Sequence, residues 1–128
     1  MPIRRISTPT APKPFSNYSQ AVAIEGPARV LHVSGQLGCK LDGSVPETEA
    51  EQHELAWKNL LAVLAAEGMD ETHLVDCHVY ITDPKSVALY RETRDRVLKG
   101  AKPAATLLIV AGLASPAWKI EVSAVAAK

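Results

Sequence analysis

The chain has only two cysteines, one phenylalanine and no surplus of either charge, with 14 Lys and Arg against 14 Asp and Glu. Each shortage excludes something. Two cysteines as far apart as Cys39 and Cys77 make no disulfide framework, so reduced thiols and a cytoplasmic location are expected. Balanced charge removes the attraction that supplies most of the affinity for nucleic acid, and the densest basic stretch, Arg91 to Lys102, is interrupted by Glu92 and Asp95. The longest apolar stretch, Ala104 to Ala114, falls far short of the roughly 20 residues needed to cross a bilayer. Met1 to Arg5 opens with positive charge, but Ser7 to Lys13 is polar and proline-rich where a secretory signal needs an apolar core. His32, His53, His73 and His78 share no metal-ligand spacing, and the adjacent Cys77 and His78 point to opposite faces of a strand. No metal and no cofactor are therefore expected. Gly35-Gln36-Leu37-Gly38 is not a phosphate-binding loop, and Ser34 lacks the context of a nucleophile elbow.

What is present is ordinary for a globular protein: 128 residues, 47% hydrophobic and 22% charged. That length fits one domain over residues 1–128, able to bury roughly two-thirds of its unfolded surface. Ile3 to Ser7 reads as a short strand, followed by an extended lead-in broken by Pro9, Pro12 and Pro14. Gln20 to Ile24 and Ala28 to Ser34 read as a hairpin around the turn Glu25-Gly26-Pro27, and Gly35 to Val45 as irregular chain. Thr48 and Glu51 have capping-box spacing before a helix whose apolar stripe includes Ala56, Trp57, Leu60 and Leu64, and Gly68 ends it. His73 to Thr82 predicts a strand. Asp83-Pro84 starts a second helix, with Val87, Tyr90, Val97 and Leu98 on one stripe and Gly100 at its end. Ala104 to Ala111 predicts a strand, and so does Ala117 to Ala126, where Trp118, Ile120, Val122 and Ala124 alternate with polar residues. Trp57 and Trp118 are expected in the helix–sheet core.

The order is β-β-β-α-β-α-β-β, an α+β domain with a mixed sheet and two helices on one face. Leu108 and Val110 of the strand at 104–111 point one way and Leu107 and Ile109 the other, so both faces are apolar. Two helices cover only one face of so small a sheet. The other calls for a partner, and a second copy of the chain is the simplest one.

Tyr18-Ser19-Gln20, Val33-Ser34-Gly35-Gln36, Lys102-Pro103-Ala104-Ala105-Thr106 and Lys119-Ile120-Glu121-Val122 occur in the order and spacing of the Rid family, also called YjgF or L-PSP. The chain resembles that family from about Ile6 to Val125. The resemblance implies the chorismate-mutase-like YjgF fold and a homotrimer with a central barrel and small-molecule clefts between subunits. It places the active-site tyrosine on Tyr18, the backbone-contacting glycine on Gly35 and the water-activating glutamate on Glu121. Tyr90 stands where the family commonly has Asn, and Ala105 where its deaminases carry the arginine that grips a substrate carboxylate, with Thr106 and Leu107 beyond. Alanine offers neither charge nor the planar fork of donors.

The activity so implied is hydrolytic deamination of a reactive imine or enamine other than the usual short 2-imino acids. Two alternatives stay open: a non-catalytic trimer that binds a small metabolite as sensor, carrier or chaperone, and an endoribonuclease of the L-PSP type, which the balanced charge disfavours. Taken alone, Glu121 reads as a solvated strand residue, Tyr18 as a loop cap and Gly35 as a tight turn. Arg91, Arg94 and Arg96 read as a solvated helix face, from which one could swing into a cleft in place of the missing arginine.

Overall fold

The computed structural model describes residues 3–26 and 29–128. Its strands are β1 (Ile3–Ile6), β2 (Ala21–Ile24), β3 (Val30–Leu37), β4 (Leu74–Ile81), β5 (Ala104–Ile109) and β6 (Ile120–Ala127). Helix α1 (Glu49–Ala65) follows β3, and α2 (Val87–Val97) lies between β4 and β5. The molecule is α+β, as the residue pattern predicts, with the elements in the predicted order.

The main sheet runs β3-β6-β4-β5, antiparallel except for the parallel β4–β5 pair. Here the structure corrects the expected hairpin: β2 pairs with β1, not with β3, whose ladder is taken by β6. The long proline-bearing loop makes this possible. Gln20 folds it back, donating to the carbonyls of Thr8 (3.1 Å) and Pro12 (2.9 Å) and accepting from the Thr8 amide. Pro27 of the expected turn and Ala28 of the expected strand lie outside the described residues. β3 also continues through Leu37, into chain read as irregular, by way of a bulge between Val33 and Gln36.

Thr48 caps α1 by accepting from the Glu51 amide, but its hydroxyl donates to the Glu51 carboxylate, so the pair is not a reciprocal capping box. Gly68 takes φ +68° just after the helix, a conformation glycine adopts without strain. Trp57, Leu60 and Leu64 of α1 are fully buried against Val79, Ile81, Ile120 and Val122 of the sheet, each such side chain worth about 1.5–3 kcal/mol. Trp118 is the exception to the expected core. β6 begins only at Ile120, so Trp118 stays partly exposed on the loop before it.

The register assigns each strand residue to a face. Ala105 and Leu107 lie in rows with Cys77 and Val79, whose β6 partners Ala124 and Val122 are buried under the helices. Thr106 and Leu108 lie in rows with His78 and Tyr80, and thus with Ser123 and Glu121, on the opposite face. Leu108 and Ile109 remain about half exposed. Among the described residues no helix is long and apolar enough to cross a membrane.

Candidate functional site

Two cavities divide the residues that the sequence singles out. The first, of about 290 Å³, lies between α2, β5 and the loop before β2, and Tyr18, Tyr90, Ala105 and Leu107 all line it. The loop is strapped to the chain entering β5. The Ser19 amide donates to the Pro103 carbonyl at 3.0 Å, and the Ser19 hydroxyl and the Arg5 Nε donate to the Lys102 carbonyl. That strap sets Tyr18 beside Ala105.

Arg94 also lines this cavity, and here the structure overturns the reading of a solvated helix face. Arg91 and Arg96 are exposed, but Arg94 is only 3% exposed. Its guanidinium lies 5.0 Å from the centre of the Tyr90 ring. It donates to the Tyr90 phenol oxygen at 3.0 Å, to the Ser16 hydroxyl at 2.8 Å and, through Nε and Nη2, to Asp95 at 3.0 and 2.8 Å. The signal was present in the sequence. Residues 87, 90, 94 and 97 recur at helical spacing, so position 94 falls on the stripe that faces inward. A charged residue type conceals that placement, because guanidinium groups are seldom buried without partners. Ser16 carries no sequence signal of its own.

Burial raises the Tyr90 phenol above its ordinary pKa of 10.0, against the opposing pull of Arg94, so it stays protonated at neutral pH. Cys77, in the same row as Ala105, is buried and its thiol is pushed up to about 12, chiefly by desolvation. That thiol is inert as a nucleophile at neutral pH.

The second cavity, of about 330 Å³, is lined by Gly35, Tyr80, Glu121 and Ser123 together with the chain after β5. Helix α1 positions both of its key residues. Asn59 donates to the carbonyls of Leu37 (2.8 Å) and Cys39 (2.9 Å), fixing the end of β3. Gln52 is buried; its amide donates to the Ala117 carbonyl at 3.0 Å and accepts from the Lys119 amide at 2.9 Å, fixing the start of β6. Glu121 then lies over Gly35 so closely that a β-carbon on Gly35 would collide with the carboxylate. Among the described residues that carboxylate has no hydrogen-bonding or ion-pair partner.

Six of the seven sequence-selected residues thus fall into two groups on opposite faces of the sheet. Tyr18, Tyr90, Ala105 and Leu107 stand together on the helix side, and Gly35 and Glu121 together on the other. Thr106 joins neither; it is exposed on the Glu121 face, two strands away from it. No rotamer change carries Glu121 through the sheet.

Comparison with known proteins agrees with this architecture. Residues 8–128 match the family model described as endoribonuclease L-PSP. Protein DfrA of Myxococcus xanthus is 35% identical over 127 residues, which cover 96% of this chain and 94% of that one. A 2-iminobutanoate/2-iminopropanoate deaminase of Rattus norvegicus is 35% identical over 123 residues, covering 94% of this chain and 87% of that one. Among solved structures, the conserved Rid-family protein YyfB of Yersinia pestis superimposes with a TM-score of 0.88 at 26% identity, over 100% of both chains.

Proposed function

Because this chain belongs to the Rid/YjgF/L-PSP family, we propose that it hydrolyses a reactive imine or enamine other than a short 2-imino acid, in a site shared between two copies of the chain. The observation that carries this reading is the Glu121 carboxylate held over Gly35, without a hydrogen-bond or ion-pair partner among the described residues. Water adds to the imine carbon while Glu121 takes its proton. The same carboxyl returns that proton to the nitrogen to give a carbinolamine, then carries the carbinolamine hydroxyl proton to the nitrogen as the carbon–nitrogen bond breaks, and a carbonyl compound and ammonia leave. An enamine enters the same path after protonation at carbon.

Tyr18, Tyr90 and Leu107 form the wall that receives the substrate, and Gly35 offers its backbone. One chain cannot bring Glu121 to that wall, since the sheet stands between them. A second copy can, with the half-exposed Leu108 and Ile109 as apolar surface to bury at the contact. The family expectation of a homotrimer meets both needs. Ala105 favours a second reading, a trimer that binds its ligand without turning it over, because the position that anchors a carboxylate in the family's deaminases is empty of charge.

One experiment separates the two. Ammonia release is measured over a panel of enzymatically generated imines, for the wild type and for Glu121→Gln. The hydrolase reading expects turnover that falls roughly 10²- to 10⁴-fold in the variant. Equal rates in both proteins on every substrate overturn the role of Glu121, and saturable binding with no turnover supports the binding protein.

A further inference from the structure

The cavity between α2 and β5 has a property that its lost arginine does not predict: its polar side chains all have protons to offer. Three hydroxyls line it, those of Ser16, Tyr18 and Tyr90. Each accepts a hydrogen bond from within the protein: Ser16 and Tyr90 from Arg94, and Tyr18 from the Phe15 amide at 3.1 Å. Among the described residues none of the three donates. A hydroxyl whose oxygen is engaged in this way turns its own proton elsewhere, and here the open direction is the cavity.

Arg94 contributes more directly. Four of its five N–H groups are taken by Asp95, Ser16 and Tyr90. The fifth, on Nη1, has no partner among the described residues. Its charge is offset by Asp95, whose side chain is 43% exposed and does not line the cavity. Arg91, exposed, also lines the cavity and makes no ion pair among the described residues. Within one chain, two guanidiniums against one carboxylate leave about one unit of positive charge on this wall.

We propose that this cavity is a carboxylate site in which Arg94, with the hydroxyls of Ser16, Tyr18 and Tyr90, replaces the arginine that Ala105 lacks. The site takes a carboxylic acid with an apolar body. The carboxylate is gripped from α2, across the cavity from β5, and Ala105, Leu107 and Phe15 leave apolar wall for the remainder. A cavity of about 290 Å³ leaves room for more than the smallest imino acids. The inference rests on the hydrolase reading for the identity of the site as half of a catalytic cleft, and not for the binding itself.

The test uses unreactive probes on the full-length protein: 3-phenylpropanoate, its neutral isostere 3-phenylpropanamide, and propanoate. Wild type should bind 3-phenylpropanoate at least tenfold more tightly than the amide and more tightly than propanoate. Binding should also move the Arg94 Nε–H signal in a nitrogen–proton correlation spectrum. Arg94→Gln should reduce the preference for carboxylate to about twofold or less, and Arg94→Lys should restore only part of it, because the three protons of an ammonium cannot hold Asp95, Ser16 and Tyr90 and still face the cavity. If Arg94→Gln fails to fold, the wild-type preference and the Arg94 signal decide. Equal binding of acid and amide overturns the site, as does an unmoved Arg94 signal at saturation, or a preference that survives in folded Arg94→Gln. Glu121→Gln keeps the carboxylate preference whatever becomes of turnover. A missing hydrolase activity with the preference intact removes only the catalytic reading, and turnover without the preference removes only the anion site.

Discussion

In the cavity between α2 and β5 the polar side chains offer protons, whereas the cavity beside Gly35 presents a carboxylate that accepts no hydrogen bond among the described residues. Within one chain the sheet keeps the two apart. Were Arg94 and Glu121 on one face, within a few ångströms, the two would pair and the carboxylate would no longer be free to move a proton. The halves are also positioned by unrelated devices. The α2–β5 half depends on the strap from Ser19 to Lys102 and Pro103 and on the guanidinium that ties Ser16 to Tyr90. The Glu121 half depends on Gln52 and Asn59 of α1, which grip the ends of β6 and β3. Damage to one should leave the other standing.

The largest effect should come from dividing the halves between chains. Glu121→Gln and Tyr18→Ala should each lose most ammonia release when purified alone. Co-expressed in equal amounts, they should recover up to about a quarter of wild-type activity, because random mixing leaves that share of shared clefts with both halves intact. Recovery is measured on the whole co-expressed pool, with mixed oligomers shown to form by double-tag capture. No recovery, with mixed oligomers demonstrably formed, breaks the comparison by putting both halves to work within one chain.

Two glycines on β3 and just after it sharpen the contrast between position and stability. A β-carbon at Gly38 meets the backbone of Gln52, which cannot step aside without moving α1. Gly38→Ala should therefore destabilise by ~3 kcal/mol, seen as a lowered denaturant midpoint. A β-carbon at Gly35 meets only the end of the Glu121 side chain, which can rotate away. Gly35→Ala should shift the midpoint by less than ~1 kcal/mol while activity falls at least tenfold. A Gly35→Ala protein as unstable as Gly38→Ala would mean that the carboxylate is locked by more than this contact.

How much of this was legible in the sequence depends on how each part is encoded. Alternation in β6 and the stripe of α1 are periodic and local, so their elements could be read directly. The pairing of β2 was not, because it depends on a folded-back loop that Gln20 pins to Thr8 and Pro12. Trp118 was misplaced because alternation continued past the true start of β6 at Ile120. The candidate residues were found by motif, but motif order is linear and cannot tell that Ala105 and Glu121 occupy opposite faces. That distinction appears only once β4 is placed between β5 and β6. Arg94 was missed because residue type outweighed its position on the stripe.

The smallest expected effect concerns acid, to which the halves should respond differently. His53 lies on α1 beside Gln52, fully buried, with neither ring nitrogen hydrogen-bonded among the described residues. Desolvation lowers its pKa below 6.5, and the Glu49 carboxylate 3.7 Å away opposes this only in part. The folded protein therefore keeps His53 neutral where the unfolded chain begins to protonate it. The unfolded state binds more protons, so stability is full above about 6.5 and declines as the pH falls from there toward the lowered folded-state value. The limiting slope is ~1.4 kcal/mol per pH unit for one proton. His53→Leu, which removes the titrating group at similar volume, should flatten that decline, measured as denaturant midpoints at pH 7.5, 6.5 and 5.5. Over the same range the carboxylate preference of the α2–β5 cavity should not change, because no histidine lines it and arginine does not titrate. Equal slopes in wild type and His53→Leu would show that the acid sensitivity of α1 lies elsewhere. A carboxylate preference that fades in step with stability would show that the two halves are coupled after all.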